Sequence, residues 1–131
     1  MGFVKVRVKI GNPEKPGVSR EVELIADTGA IYTVVSRKIL EELGIRKRGK
    51  RKFKLANGKI IEREVGIIEI EVKGTVAYTT VVFGEENDTQ VLGVTALEEL
   101  GMQVDPTTGE LKPMELLLLG MHKTVIEPQA F

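Results

Sequence analysis

Apolar and charged residues alternate almost from the start of the chain: Val4, Val6, Val8 and Ile10 are interleaved with Lys5, Arg7 and Lys9. A period of two marks a strand with one buried face. Gly11-Asn12-Pro13-Glu14-Lys15-Pro16-Gly17 is a turn cluster. Val18 to Ala26 reads as the return strand, with Val22, Leu24 and Ala26 on one face, and the hairpin so formed delivers Asp27 at its far end. A second apolar stretch, Ala30-Ile31-Tyr32-Thr33-Val34-Val35, leads to Ser36, which is placed to cap a short helix over 37–43 that Gly44 stops. A basic loop follows, then Phe53 and Leu55 alternate with lysines. Asn57-Gly58 predicts a type I′ hairpin turn, in which both central residues need positive φ. The strand pattern resumes from Lys59 to Val72, turns at Lys73-Gly74 and continues from Val76 to Phe83. Glu85 to Asp88 reads as a polar loop and Val91-Leu92-Gly93 as a short apolar step. Thr95-Ala96-Leu97-Glu98 spells a capping box for a second helix, ended by Gly101. After a turn at 105–109, the segment 111–119 reads as a closing buried strand.

One internal echo stands out, since Leu40-Glu41-Glu42-Leu43-Gly44 recurs as Leu97-Glu98-Glu99-Leu100-Gly101. It is either an economical spelling of a short amphipathic helix or the trace of two half-domains related by a pseudo-twofold axis. The pattern as a whole predicts an all-β domain with two short helices over 1–120, followed by a C-terminal tail, 121–131.

Composition narrows the chemistry. A chain of 131 residues suits a single domain. Lys+Arg and Asp+Glu each number 19, so a net charge of zero gives no general attraction to nucleic acid or acidic membrane. With no cysteine, disulfides, zinc–thiolate sites and thiol catalysis are excluded. A single histidine, His122, leaves a multi-histidine metal site or a Ser-His triad hard to build and is assigned no role. No metal or organic cofactor is expected. The longest apolar run, Leu116 to Leu119, falls far short of the about 20 residues that span a bilayer. No signal peptide is visible, and the expected compartment is the cytoplasm.

The candidate chemistry lies at Asp27-Thr28-Gly29. A carboxylate at the end of an apolar strand is costly to leave unpaired, so it has a partner or a use. Hydrolysing a peptide bond without a metal or a covalent nucleophile requires an activated water and a proton for the leaving nitrogen. Two facing carboxyls that share one proton supply both. They titrate in two coupled steps, because neighbouring carboxylates do not both ionise readily. Only one such tripeptide is present. Asp88 and Asp105 are the other candidates, and both lie in turn-like polar contexts. The economical second carboxylate is Asp27 of another copy, since a twofold interface brings equivalent residues together.

The spelling Asp27-Thr28-Gly29-Ala30, with Thr33 beyond it, resembles the active-site loop of the retroviral-like (retropepsin-type) aspartic proteases. The resemblance covers most of the chain, from about Val4 to Leu119. It implies a closed-barrel-like fold that works as a twofold homodimer on polypeptide substrates, with Asp27, Thr28 and Gly29 catalytic. It implies that the Thr28 hydroxyl bonds across the axis. It places a substrate-covering flap at Lys54-Leu55-Ala56-Asn57-Gly58-Lys59-Ile60 and matches Val91-Leu92-Gly93 to an apolar-apolar-Gly step before a helix. Ala30, Leu55, Ala56, Asn57, Gly58 and Val91 are the expected substrate contacts. The flap tip lacks the multiple glycines of the viral enzymes, and Ile31-Tyr32 replaces an acidic pair. Ala30 stands where pepsin-type loops often carry Ser. Without that hydroxyl the charged dyad is less stabilised, so activity is expected at weakly acidic to near-neutral pH. In such dimers terminal strands commonly build the interface, which points to Phe3 to Val8 and to the apolar run 114–119.

Two other readings stay open. One is a dimeric peptide-binding module of the same fold without turnover. The other is a small basic β-barrel that binds nucleic acid through Arg46-Lys47-Arg48-Gly49-Lys50-Arg51-Lys52 and Lys54, although such a run is more often a solvated loop offset by acids. If it leads into the flap, it could bias substrate choice toward acidic peptides.

Overall fold

A computed structural model describes residues 4–115. The first hairpin forms as the alternation requires. Strand β1 (Val4–Gly11) pairs antiparallel with β2 (Ser19–Ala26), and Val4 lies opposite Ala26. Then come β3 (Thr33–Ser36), helix α1 (Arg37–Glu42), β4 (Gly49–Lys54), β5 (Ile60–Val72), β6 (Thr75–Gly84), β7 (Val91–Leu92), helix α2 (Val94–Leu100), β8 (Met102–Asp105) and β9 (Glu110–Pro113).

The main sheet has seven strands in the order β1-β2-β7-β3-β6-β5-β4. Residues 9–11 of β1 also pair with residues 69–71 of β5, which closes the sheet on itself. The fold is therefore all-β and closed, of the retropepsin-like type. Strand β5 is long enough to serve two neighbours along one edge: its first half carries β4, and its last part reaches β1. The β4–β5 hairpin projects from the closed part. Val8, Ile10, Leu24, Val35, Ile68, Ile70, Val81, Phe83 and Leu92 are almost wholly buried inside. Leu40 of α1 and Ala96, Leu97 and Leu100 of α2 join the same cluster. Strands β8 and β9 form a separate two-stranded hairpin, and its Leu111 is buried against the core.

The internal echo has a topological basis. Strand β2, the loop 27–32, β3 and α1 follow in the same order as β6, the loop 85–90, β7 and α2. Strand β2 runs parallel to β7 and β3 parallel to β6, while β3 and β7 pair antiparallel between them. A pseudo-twofold axis through the β3–β7 contact exchanges the two halves.

Four local expectations are revised. The Asn57-Gly58 turn is not type I′, because only Gly58 has positive φ (86°). The Gly58 amide donates to the Leu55 carbonyl at 2.9 Å and the Leu55 amide to the Lys59 carbonyl at 2.8 Å. This is a three-residue loop with glycine in the left-handed position. The turn with two positive φ angles is Lys73-Gly74 (51° and 83°), tightly joining Val72 to Thr75. The capping box at Thr95 does not form: the N-cap of α2 is Gly93, with no side-chain cap. The basic stretch is only partly loop, since Gly49–Lys54 is strand, where Lys50 and Lys52 face Glu64 and Glu62 across β4–β5. Finally, the closing strand ends at Pro113. Phe3, the run 116–119, His122 and the tail 121–131 lie outside the described residues.

Candidate active site

The loop that carries Asp27 is clamped between β7 and the start of α2. Ile25 and Ala26 pair parallel with Val91 and Leu92, and the Asp27 amide extends that ladder to the Leu92 carbonyl at 3.0 Å. Three residues later the Ala30 amide donates back to the Asp27 carbonyl at 3.1 Å. The Val94 and Thr95 amides, in the first turn of α2, donate to the carbonyls of Ala30 (2.8 Å) and Ile31 (3.0 Å). Amides that open a helix have no partner within it. Here the site loop satisfies them, which is why Gly93 caps α2 without a side chain.

Thr33 and Gly93 lock the clamp. Thr33 is wholly buried, and its Oγ1 accepts from the Gly93 amide at 3.1 Å. A Cβ at Gly93 would lie 2.5 Å from the Tyr32 carbonyl carbon, so only glycine allows the two backbones to approach this closely.

Asp27 itself is half-buried, and Thr28 and Gly29 are exposed. The Gly29 amide donates to Asp27 Oδ1 at 2.9 Å, a backbone hydrogen bond aimed at the carboxylate. Glycine at 29 leaves room rather than supplying unusual φ, because an added Cβ would sit 3.2 Å from that oxygen.

A groove of about 800 Å³ opens between this loop and the β4–β5 hairpin. Gly29, expected to be catalytic, lines it together with Ala30 and Leu55, two of the expected substrate contacts. Ala56, Asn57 and Gly58 form the exposed hairpin tip. Val91 is buried in the sheet, paired with Ile25 and Val34, and does not line the groove.

Sequence reasoning missed the aromatic and cationic wall of the groove. Tyr32 and Phe53 meet edge to face with ring centroids 6.2 Å apart. Arg51 donates through Nη1 to the Tyr32 hydroxyl at 2.8 Å. Further along, Arg63 grips Asp88 with two bonds, Nε to Oδ2 at 2.7 Å and Nη2 to Oδ1 at 3.0 Å. The period-2 placement of Arg51, Phe53 and Leu55 was the available signal, but it lay within a run of like charges.

The other acidic candidates are engaged elsewhere. Arg63 first, and then the Glu85 amide, holds the Asp88 carboxyl below the ordinary aspartate range. The Thr107 amide, with Lys112 nearby, does the same for Asp105 in the β8–β9 turn. Both are committed as charged acceptors. Among the described residues no cluster of His, Cys, Asp and Glu suits a metal ion, and no helix is long and apolar enough to cross a membrane.

No curated protein gives a significant match to the chain. A family model described as "gag-polyprotein putative aspartyl protease" matches residues 18–99, well over half of the 131 residues. That span runs from the strand leading into Asp27 through the groove-forming hairpin to α2. Fold, site loop and family match agree, and the chain belongs to the gag-polyprotein aspartyl protease family.

Proposed function

We propose that this protein is an aspartic endopeptidase whose catalytic pair is made by Asp27 of two subunits. One carboxyl is charged and takes a proton from a bound water. The other is neutral and donates to the carbonyl oxygen of the scissile bond. The water oxygen bonds to the scissile carbonyl carbon, and the tetrahedral centre so formed collapses as the C–N bond breaks: the nitrogen leaves with the proton the first carboxyl took from water, and the second carboxyl recovers its own as the carbonyl re-forms. The observation that carries this reading is the half-buried Asp27 carboxylate in the loop whose Gly29 and Ala30 line an open groove, held by one backbone amide and by no cation among the described residues. The engagement of Asp88 by Arg63 supports a partner subunit as the source of the second carboxyl. Exposed apolar residues at the groove, Ile31 (63% exposed) and Leu55 (41%), suit a surface covered by substrate or by a second copy. Thr28, also exposed, is free to bond across the axis, and the hairpin tip Ala56-Asn57-Gly58 is the flap that closes over substrate.

The basic run fits a framework role better than a nucleic-acid surface. Arg46 and Arg48 reach Glu14, Lys47 reaches Glu41, and Lys50 and Lys52 face glutamates across the hairpin. Hydrolysis of casein or peptides by wild type and Asp27→Asn, run alongside a mass determination in solution, tests the proposal. The expected result is a dimeric wild type that cleaves and a dimeric variant that does not. Equal cleavage by both overturns it.

A further inference from the structure

Of the four cations on β4, Lys54 lies opposite the apolar Ile60 and the other three lie opposite charged residues of β5. Lys50 lies opposite Glu64 and Lys52 opposite Glu62, but Arg51 lies directly opposite Arg63. Like charges facing each other across two strands are unfavourable. Asp88 offsets the charge of Arg63 with its two-bond grip, and nothing comparable reaches Arg51. Among the described residues no carboxylate lies within ion-pairing distance of Arg51, and its one side-chain hydrogen bond goes to the neutral hydroxyl of Tyr32. Arg51 is exposed, lines the same groove as Gly29 and Ala30, and is steadied by Tyr32, which packs on Phe53. A guanidinium so held keeps free donors in a planar fork suited to a carboxylate.

We infer that Arg51, positioned by Tyr32, is a specificity-determining residue that receives an Asp or Glu side chain of the substrate, so that the groove selects acidic peptides. The inference deepens the proposed endopeptidase reading and rests on it for turnover, though not for binding. The substrate carboxylate supplies the charge that Asp88 supplies to Arg63. The aromatic pair beside it accepts the aliphatic part of the same side chain. A fork-to-carboxylate pair at a partly open site is worth about ten-fold in discrimination between Glu and the isosteric Gln.

The test uses matched peptides that differ by Glu or Gln at single positions flanking the cleaved bond. Cleavage is measured with wild type and Arg51→Gln, and binding of the same peptides with Asp27→Asn and the double variant Asp27→Asn/Arg51→Gln. Arg51 is exposed, so its replacement leaves the core intact. The expected result is that wild type prefers Glu about ten-fold at one position in kcat/KM. Arg51→Gln should erase that preference, bringing the Glu and Gln peptides to equal kcat/KM, and Arg51→Glu should favour Lys at that position. Cleavage with equal rates for Glu and Gln, or a preference that survives Arg51→Gln, overturns the inference and leaves the protease reading intact. Arg51-dependent binding of the Glu peptide without cleavage supports the inference and overturns the protease reading. Absence of both cleavage and binding overturns both.

Discussion

Two buried hydroxyls illustrate how much one atom decides. Thr33 Oγ1 accepts from the Gly93 amide in a wholly buried setting. Thr33→Val keeps the shape and strands that amide, which costs about 1–3 kcal/mol. The expected outcome is a lower midpoint in thermal denaturation together with weakened activity, because the same bond holds the site loop against α2. Thr79 is the opposite case. Its Oγ1 is buried with no partner among the described residues. Thr79→Val removes an unmet desolvation cost and should raise the melting temperature by a few degrees, at about 1 kcal/mol. A lower melting temperature would contradict the assignment. Acid response belongs to this scale too. The Asp88 carboxyl is held below its ordinary value by Arg63, so its stabilising effect is complete above the unfolded-state value, near pH 4. That effect is lost as pH falls through the lower folded-state value. Wild type should therefore be more stable than Asp88→Asn at neutral pH, with the gap closing in acid.

At the level of elements, the clamp of β7, Gly93 and α2 around the loop 27–32 is the feature on which the site depends. Gly93→Ala drives a methyl group into the Tyr32 backbone. It should destabilise by about 2 kcal/mol or more, in the range of other overpacked or strained buried positions, and a melting curve reads it directly. Gly58→Ala is a milder change, because open space surrounds the position and only its positive φ is opposed. It should cost about 1–2 kcal/mol in stability and, on the proposed reading, show also in KM, since the residue sits at the tip of the β4–β5 hairpin. The strands, both helices and the Asp27 loop were legible in the sequence because each is written locally, in periodicity and in glycine stops. The capping of α2 was not, because its partners, Ala30 and Ile31, lie more than 60 residues earlier. Thr95 spells a cap and instead gives its amide to Ile31. The turn at Asn57-Gly58 was misread for a related reason: the ladder continues through Leu55 and Lys59, so the loop holds three residues rather than two. The role of Arg51 was hidden by its neighbours. Charge alone groups it with Lys50 and Lys52, and only strand register separates a cation facing glutamate from one facing Arg63.

For the whole molecule, the internal pseudo-twofold poses a sharp question. The fold repeats β-loop-β-α, yet the second loop turns its Asp88 into an ion pair with Arg63. One half of the repeat leaves its Asp27 carboxylate without a cation among the described residues and the other ties its own to Arg63, so the proposed catalytic pair calls for a second molecule. The most direct test mixes wild type and Asp27→Asn subunits under conditions that exchange them, at constant total protein. If the pair spans two subunits, mixed dimers are inactive, and activity follows the square of the wild-type fraction, about one quarter at equal proportions. A linear fall, to about one half, would show that each subunit works alone and would contradict the shared Asp27 pair.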